Sequence, residues 1–199
     1  MVGYVSPLST IDHDVTICSG VYIWHFAQIR KNAIIGENSI IGKSVYIGPG
    51  VKIGNNCKIQ NQSQIYEPAE VADFVFIGPG VVLTNDRIPR ATTPEGKLKG
   101  ISDWKLEGVK ILEGASIGAN STCIAPLTIG KWSMVGAGSV VVQNVANYSL
   151  VVGNPAKHIG WVGESGEKLV QLSLNKFKSP ISQKEFLLEN GELVPYATV

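Results

Sequence analysis

Every sixth residue from Val5 to Leu83 is a branched aliphatic: Val5, Ile11, Ile17, Ile23, Ile29, Ile35, Ile41, Ile47, Ile53, Ile59, Ile65, Val71, Ile77 and Leu83. Two residues before each one there is usually a small or β-branched side chain, as at Ala27, Ala33, Ser39, Val45, Val51, Cys57 and Ser63. Side chains two apart on an extended strand share a face. Each unit therefore turns one large and one small residue inward. The period is too long for a bare strand and too short for a helical repeat. It suits a short strand plus a turn, wound into a solenoid whose strands stack ~4.8 Å apart. Glycine follows the aliphatic residue at Gly36, Gly42, Gly48, Gly54 and Gly78. That pattern predicts corners with positive φ at those positions.

The beat stops after Leu83 and resumes at Ile111, Ile117, Cys123, Ile129, Val135 and Val141, across a gap of 28 residues that is not a multiple of six. Residues 84–110 are therefore an excursion from the coil, rich in Pro, Gly and charge. A loop this long in a compact domain is usually functional or disordered. We expect it to pack on a neighbouring subunit through Trp104; the plainer alternative is a mobile surface loop. The chain divides into a repeat domain, 1–143, and a cap and tail, 144–199. The tail should hold short extended pieces around a turn at Asn190–Gly191.

The net charge of +1 gives no bulk attraction to nucleic acid or to an anionic membrane surface. No apolar run approaches the ~20 residues that would span a bilayer, and residues 1–14 lack the basic-then-apolar order of a signal peptide. Cys18, Cys57 and Cys123 are widely spaced without a C-x-x-C. That spacing argues against a disulfide framework and a zinc site. A reduced, cytoplasmic protein is expected. Cys57 and Cys123 fall in inward slots. Cys18 lies at a corner with no basic neighbour to activate it.

Three further runs accompany the hexads: I-G-P-G-V-V-L-T-N-D-R-I-P-R-A at 77–91, A-S-I-G-A-N-S-T-C-I at 115–124 and V-G-N-P-A-K-H-I-G-W-V at 152–162. Together, over about residues 5 to 165, they resemble the hexapeptide-repeat sugar-nucleotide N-acyltransferases. The members they most resemble acetylate the 3-amino group of UDP-2-acetamido-3-amino-2,3-dideoxy-glucuronate or of dTDP-3-amino-3,6-dideoxyhexoses. The resemblance implies an all-β, left-handed parallel β-helix with three repeats per coil, assembled as a homotrimer. It implies acetyl-CoA, or a longer acyl-CoA, held in a groove between prisms with a UDP- or dTDP-linked amino sugar beside it. No metal is implied, and the product would serve surface polysaccharide synthesis, such as that of lipopolysaccharide O-antigen. By resemblance, Asn85 of T-N-D reaches the sugar amine. Asn154, Pro155 and Lys157 of G-N-P-A-K lie toward the adenine end of CoA. Gly118, Ala119, Ala137 and Gly138 are small enough for the pantetheine arm to approach the backbone.

With eighteen residues per coil, side chains fall into columns. His13, Lys31, Pro49, Glu67 and Asn85 share one edge, with Tyr66 stacked over Thr84. A second edge carries His25, Lys43, Asn61 and Pro79, with Trp24 and Phe26 beside His25. Breaks in a strong pattern tend to mark function, and one corner gathers Tyr66, Glu67, Thr84, Asn85 and Asp86 where the loop leaves. The plainer alternative is a solvated corner ladder. We assign Asn85 and Glu67 to the chemistry. His25, Arg30, Lys31, Tyr66, Thr84, Asp86 and Arg87 are assigned to the substrate, the basic residues meeting either phosphates or a sugar carboxylate.

Residues 84–110 contain no histidine. Acylating a hydroxyl needs a general base, typically a factor of ~10²–10⁴ in rate, whereas a sugar amine is partly neutral near neutral pH. The expected reaction is therefore N-acylation. The rivals are O-acetylation or serine acetylation on the same fold, a metal-bound β-helix, whose zinc would need three histidines where the chain has only His13, His25 and His158, and a non-catalytic scaffold.

Overall fold

The computed structural model describes residues 3–196. From the first hexads the chain winds as a parallel β-solenoid with three faces, here called I, II and III, of nine, seven and six strands. The pairing is between residues one coil apart: Val5 with Ile23 on face I, Ile29 with Ile47 on face II, Ile35 with Ile53 on face III. The large slots, Ile23 through Ile65, line the interior and are sealed from water, as are the small slots Ala27, Ala33, Val45 and Cys57. Apart from a single 3-10 turn at Ile101–Asp103, the described residues form strands, turns and loops. This is the architecture expected of a left-handed hexapeptide β-helix.

The glycine expectation needs correcting. Gly36, Gly42, Gly48, Gly54 and Gly78 do not take positive φ. The left-handed residues come two positions later, at Asn38 (φ 58), Ser44 (φ 57), Gly50 (φ 68), Asn56 (φ 54) and Gly80 (φ 68). Glycine is required at the earlier position for space. A Cβ on Gly36 would lie 2.4 Å from the carbonyl carbon of Gly54, and one on Gly78 would lie 2.7 Å from the amide nitrogen of Ala119. Each coil rests its corner backbone directly on the next.

The loop leaves after the strand Val82–Leu83 and rejoins at Val109–Ile111. The register is the same on both sides: Val71 pairs with Ile111 and Leu83 with Cys123. The loop closes on itself through a bridge between Thr92 and Leu98 and leaves Ile88, Leu98 and Ile101 largely exposed.

The winding runs past the expected boundary at residue 143. Val145 bridges Ile129 in parallel, and Ser149–Gly153 adds a further parallel strand to face I, with Val151 opposite Val135. The last turn is two residues short, because Val145 follows Val141 by four rather than six. A strict six-residue step misses it. The chain then reverses, and Ala156–Trp161 pairs antiparallel with Ser149–Gly153. Val170–Ser173, Lys176–Lys178, Glu185–Glu189 and Glu192–Tyr196 form a separate antiparallel sheet. Its small core of Tyr148, Phe177, Phe186 and Leu193 is packed against Trp132 and Trp161. The turn at Asn190 (φ 51) and Gly191 (φ 82) falls where expected, with both central residues in the left-handed region as a tight hairpin requires.

The faces differ outside. Face III carries an ion-pair ladder, Lys52–Glu70–Lys110, at 3.5 Å for each pair. Face I turns Tyr22, Ile40, Phe76 and Met134 outward.

Candidate functional site

Register brings Lys31, Pro49, Glu67 and Asn85 into one column on the edge between faces II and III, because Ile29, Ile47, Ile65 and Leu83 pair in turn. At comparable corners an Asn or Asp accepts the backbone N–H of the coil before. Asn55 accepts from Glu37 (2.8 Å), Asn61 from Lys43 (2.8 Å) and Asp73 from Asn55 (2.7 Å). Glu67 occupies the acceptor position, but its counterpart is Pro49, which has no N–H to give. The carboxylate folds over Gly48, and its Oε2 is sealed from solvent without a hydrogen-bond partner. Such an unmet group is costly, and a fold that keeps one calls for an explanation.

Beside it, the Tyr66 ring lies 5.2 Å from that of Tyr46. Burial pushes the Tyr46 phenol up, the Glu67 carboxylate adds to this, and Arg30 opposes it. Arg30 Nε donates to Asp12 Oδ2 at 3.1 Å, and the Lys31 amide donates to the same oxygen at 2.9 Å. The Arg30 hydrogen bond, then the Lys31 amide, holds Asp12 below the usual carboxylate range. Arg30 and Lys31 thus stand on the Glu67 edge, two coils away.

The Thr84 hydroxyl accepts the Ala125 amide at 3.0 Å, and the Asp86 carboxylate accepts the Ile88 amide at 2.8 Å. The Thr84 hydroxyl and one Asp86 carboxylate oxygen are thereby engaged in shaping backbone. The Asn85 carbonyl accepts the Glu107 amide at 3.2 Å, pinning the loop's two ends together. The Asn85 side chain is half-buried. Among the described residues no hydrogen bond joins it to Glu67, whose carboxylate turns toward Gly48. Arg87 lines a cleft of about 320 Å³ within the loop, together with Asp86, Lys99, Trp104 and Glu107. Trp104 is half-buried in that cleft.

The edge between faces I and II carries the rest. Ala119 and Ala137 form a column there, flanked by Gly118 and Gly138, and the Gly138 amide donates to the Ala119 carbonyl at 2.8 Å. The smallness of Gly118 is used in stacking, since a Cβ would sit 2.4 Å from the Ala137 nitrogen; Gly138 (φ +70) faces open space. The column ends at the hairpin holding Asn154, Pro155 and, one residue into the return strand, Lys157. His25 is on this same edge, four coils or ~19 Å toward the N-terminus, between Trp24 and Phe26. The two groups of candidates therefore flank face II and do not meet within one chain.

A cavity of about 320 Å³ next to the hairpin is lined by Ala156, Lys157, His158, Trp161 and Ser149 among others. The Ser149 hydroxyl and His158 Nδ1 are 2.7 Å apart, and burial lowers the histidine's pKa. The sequence reading overlooked this pair and also Tyr46. Tyr46 was findable: Gln28, Tyr46 and Gln64 follow one another by eighteen in the outward slot before the aliphatic residue.

Comparison with known proteins agrees with the fold. The model for the bacterial transferase hexapeptide (six repeats) matches residues 14–49, 32–65 and 50–85, and that for the hexapeptide repeat of succinyl-transferase matches 108–143. Over 59 residues the chain is 49% identical to a dTDP-3-amino-3,6-dideoxy-alpha-D-galactopyranose 3-N-acetyltransferase of Aneurinibacillus thermoaerophilus, covering 30% of this chain and 31% of that one. Serine acetyltransferase 4 of Arabidopsis thaliana is 48% identical over 52 residues, 26% of this chain and 15% of that one. The chain thus spans under a third of the length of these curated relatives. Among solved structures, the acetyltransferase domain of PglB from Neisseria gonorrhoeae superposes with a TM-score of 0.52 at 21% identity, covering 76% of this chain and 58% of that one. WeeI from Acinetobacter baumannii gives 0.51 at 23% identity, covering 75% and 57%.

Proposed function

Since the chain belongs to the hexapeptide-repeat transferase family, we propose that it is an acyl-CoA-dependent N-acyltransferase that acetylates the 3-amino group of a nucleotide-linked amino sugar. The observation that carries this reading is the Glu67 carboxylate. The fold leaves one of its oxygens without a donor, one coil from Asn85, at the exit of a loop that holds no histidine. The carboxylate oxygen that the fold does not seal is the group we assign to take up the proton the amine must lose. The local likeness to a 3-amino-sugar N-acetyltransferase supports the same substrate class.

In the proposed reaction the neutral amine nitrogen attacks the thioester carbonyl carbon. The C–N bond forms, the C–S bond breaks, and the proton lost by nitrogen passes by way of Glu67 to the departing CoA sulfur. Asn85 orients the amine, and positioning supplies much of the rate. Backbone N–H groups stabilise the oxyanion. Arg30 and Lys31 meet the diphosphate. Gly138 admits the pantetheine arm, and Lys157, at the hairpin cavity, meets the phosphorylated end of CoA.

Because the Asn85 edge and the Gly138 edge lie apart within one chain, a neighbouring copy would supply the CoA wall. A homotrimer fits this need. The outward Tyr22, Ile40, Phe76 and Met134 of face I favour burial between copies, and the charged ladder of face III favours solvent. Acyl-CoA as co-substrate and three unpaired cysteines suit the cytoplasm, and the product would feed surface polysaccharide.

The test is thiol release from acetyl-CoA with UDP-glucuronate-type and dTDP-6-deoxy-type 3-amino sugars side by side. Asn85→Ala should lower kcat/KM at least tenfold, and a loss within twofold would remove Asn85 from the mechanism.

A further inference from the structure

We propose that a slot on face II between Phe26 and Tyr46 seats the heterocyclic base of the nucleotide, and that this base is a pyrimidine. The inference rests on the N-acyltransferase reading and extends it to a part of the substrate which that reading leaves without a seat.

The slot encloses about 250 Å³ and is lined by Phe26, Gln28, Ser44, Val45, Tyr46 and Gln64. Gln28, Tyr46 and Gln64 stand opposite one another on three successive strands, so their side chains emerge ~4.8 Å apart on one face. The Phe26 ring is 54% exposed and takes no part in the core. Its backbone is fixed in the left-handed region (φ 63) by an amide hydrogen bond to the Leu8 carbonyl at 3.1 Å. His25 and Lys43 flank it, Lys43 Nζ lying 5.9 Å from the ring centre.

These groups suit a flat, neutral, hydrogen-bonding ring. Aromatic walls offer stacking surface to a base. No charged side chain lines the slot, so an anion or cation finds no partner inside it. Primary amides both donate and accept, and the imide edge of uracil or thymine presents acceptor, donor and acceptor in line. Two glutamines can satisfy that edge. The charges stand just outside: Lys43 at one rim, and at the other Arg30, whose positive charge acts on the Tyr46 phenol. They are suited to a diphosphate leaving the slot. From Tyr46 the surface continues through Tyr66 to Glu67 and the coil of Asn85. Base, diphosphate and amino sugar then lie in that order along the face.

The test titrates the full-length protein calorimetrically with UDP, dTDP and GDP, with CoA present at saturation so that its own site is filled. UDP and dTDP should bind at least tenfold tighter than GDP. Phe26→Ala and Gln64→Leu should each weaken them at least tenfold, while CoA affinity, titrated separately, stays within twofold and so shows an intact fold. The proposal is overturned if both variants bind UDP and dTDP like the unsubstituted protein, if GDP binds equally well, or if no nucleoside diphosphate binds. Thiol release with a 3-amino sugar nucleotide, run on the same samples, separates the two ideas. Transfer with an unchanged KM in Phe26→Ala discards the slot and keeps the acyltransferase. Absence of transfer from any amino sugar nucleotide discards the acyltransferase, while the titration still judges the slot.

Discussion

Gly36→Ala should destabilise the protein by about 3 kcal/mol, and Gly50→Ala, fourteen residues on, by only about 1–2 kcal/mol. An added Cβ at Gly36 would meet only backbone: the Gly54 carbonyl carbon at 2.4 Å, its oxygen at 2.5 Å and the Asn55 nitrogen at 2.7 Å. No rotamer change relieves such contacts. The first is roughly 1 Å short of ordinary carbon contact, so the two coils must part locally by about that much. The hydrogen bonds from Gly36 to Ile53 and from Asn56 to Glu37, both 2.8 Å, would stretch past useful length. Overpacking costs roughly 1–3 kcal/mol, and each weakened hydrogen bond about 0.5–1.5 kcal/mol. At Gly50 nothing lies within 4 Å, so the only cost is its positive φ of +68. Guanidinium melts of the two variants give the free energies directly. For a chain of this size, Gly36→Ala should also lower Tm by roughly 6–12 °C. Equal losses in the two variants, or a Gly36→Ala loss under about 0.5 kcal/mol, would refute the claim that corner glycines serve contact between coils.

Three further outcomes follow from burial. A thiol reagent should modify Cys18 in the folded protein and reach Cys57 and Cys123 only after denaturation, as mass spectrometry of the labelled peptides would show. Burial pushes the Cys123 thiol up to about 12, whereas an unfolded cysteine ionises near ~8.5. Between those values the unfolded chain binds fewer protons, so stability should fall as pH rises through that window; urea midpoints at about pH 8 and pH 10 should differ less in Cys123→Ala. Phe186 is 1% exposed in the small C-terminal core. Phe186→Ala should cost about 3–5 kcal/mol and loosen that sheet alone, so limited proteolysis should remove residues beyond Gly163 and leave the coil intact.

The coil was legible because burial at Ile23, Ile41 and Ile59 acts through a fixed period, and a period survives in one dimension. Columns follow from it by counting, so the shared edge of Lys31, Glu67 and Asn85 could be read from the chain alone. Directions within a column could not. Glu67 turns toward Gly48 because Pro49 offers no N–H, a three-residue arrangement across coils that no local pattern announces. The last turn was hidden by the two-residue shortfall before Val145. The corner glycines were seen but explained by φ, when the cause was a neighbour eighteen residues away. The Ser149–His158 contact depends on a chain reversal at 153–156 and left no periodic trace.

Because the strands on either side of the excursion resume one register, Val71 opposite Ile111 and Leu83 opposite Cys123, the loop hangs from the rod without altering its pitch. Its length and content can drift while the span from Asn85 to the 153–156 hairpin stays fixed by stacked coils. Such a scaffold lets the surface around residues 84–110 be remodelled by one insertion, with the stacked edges on either side left untouched.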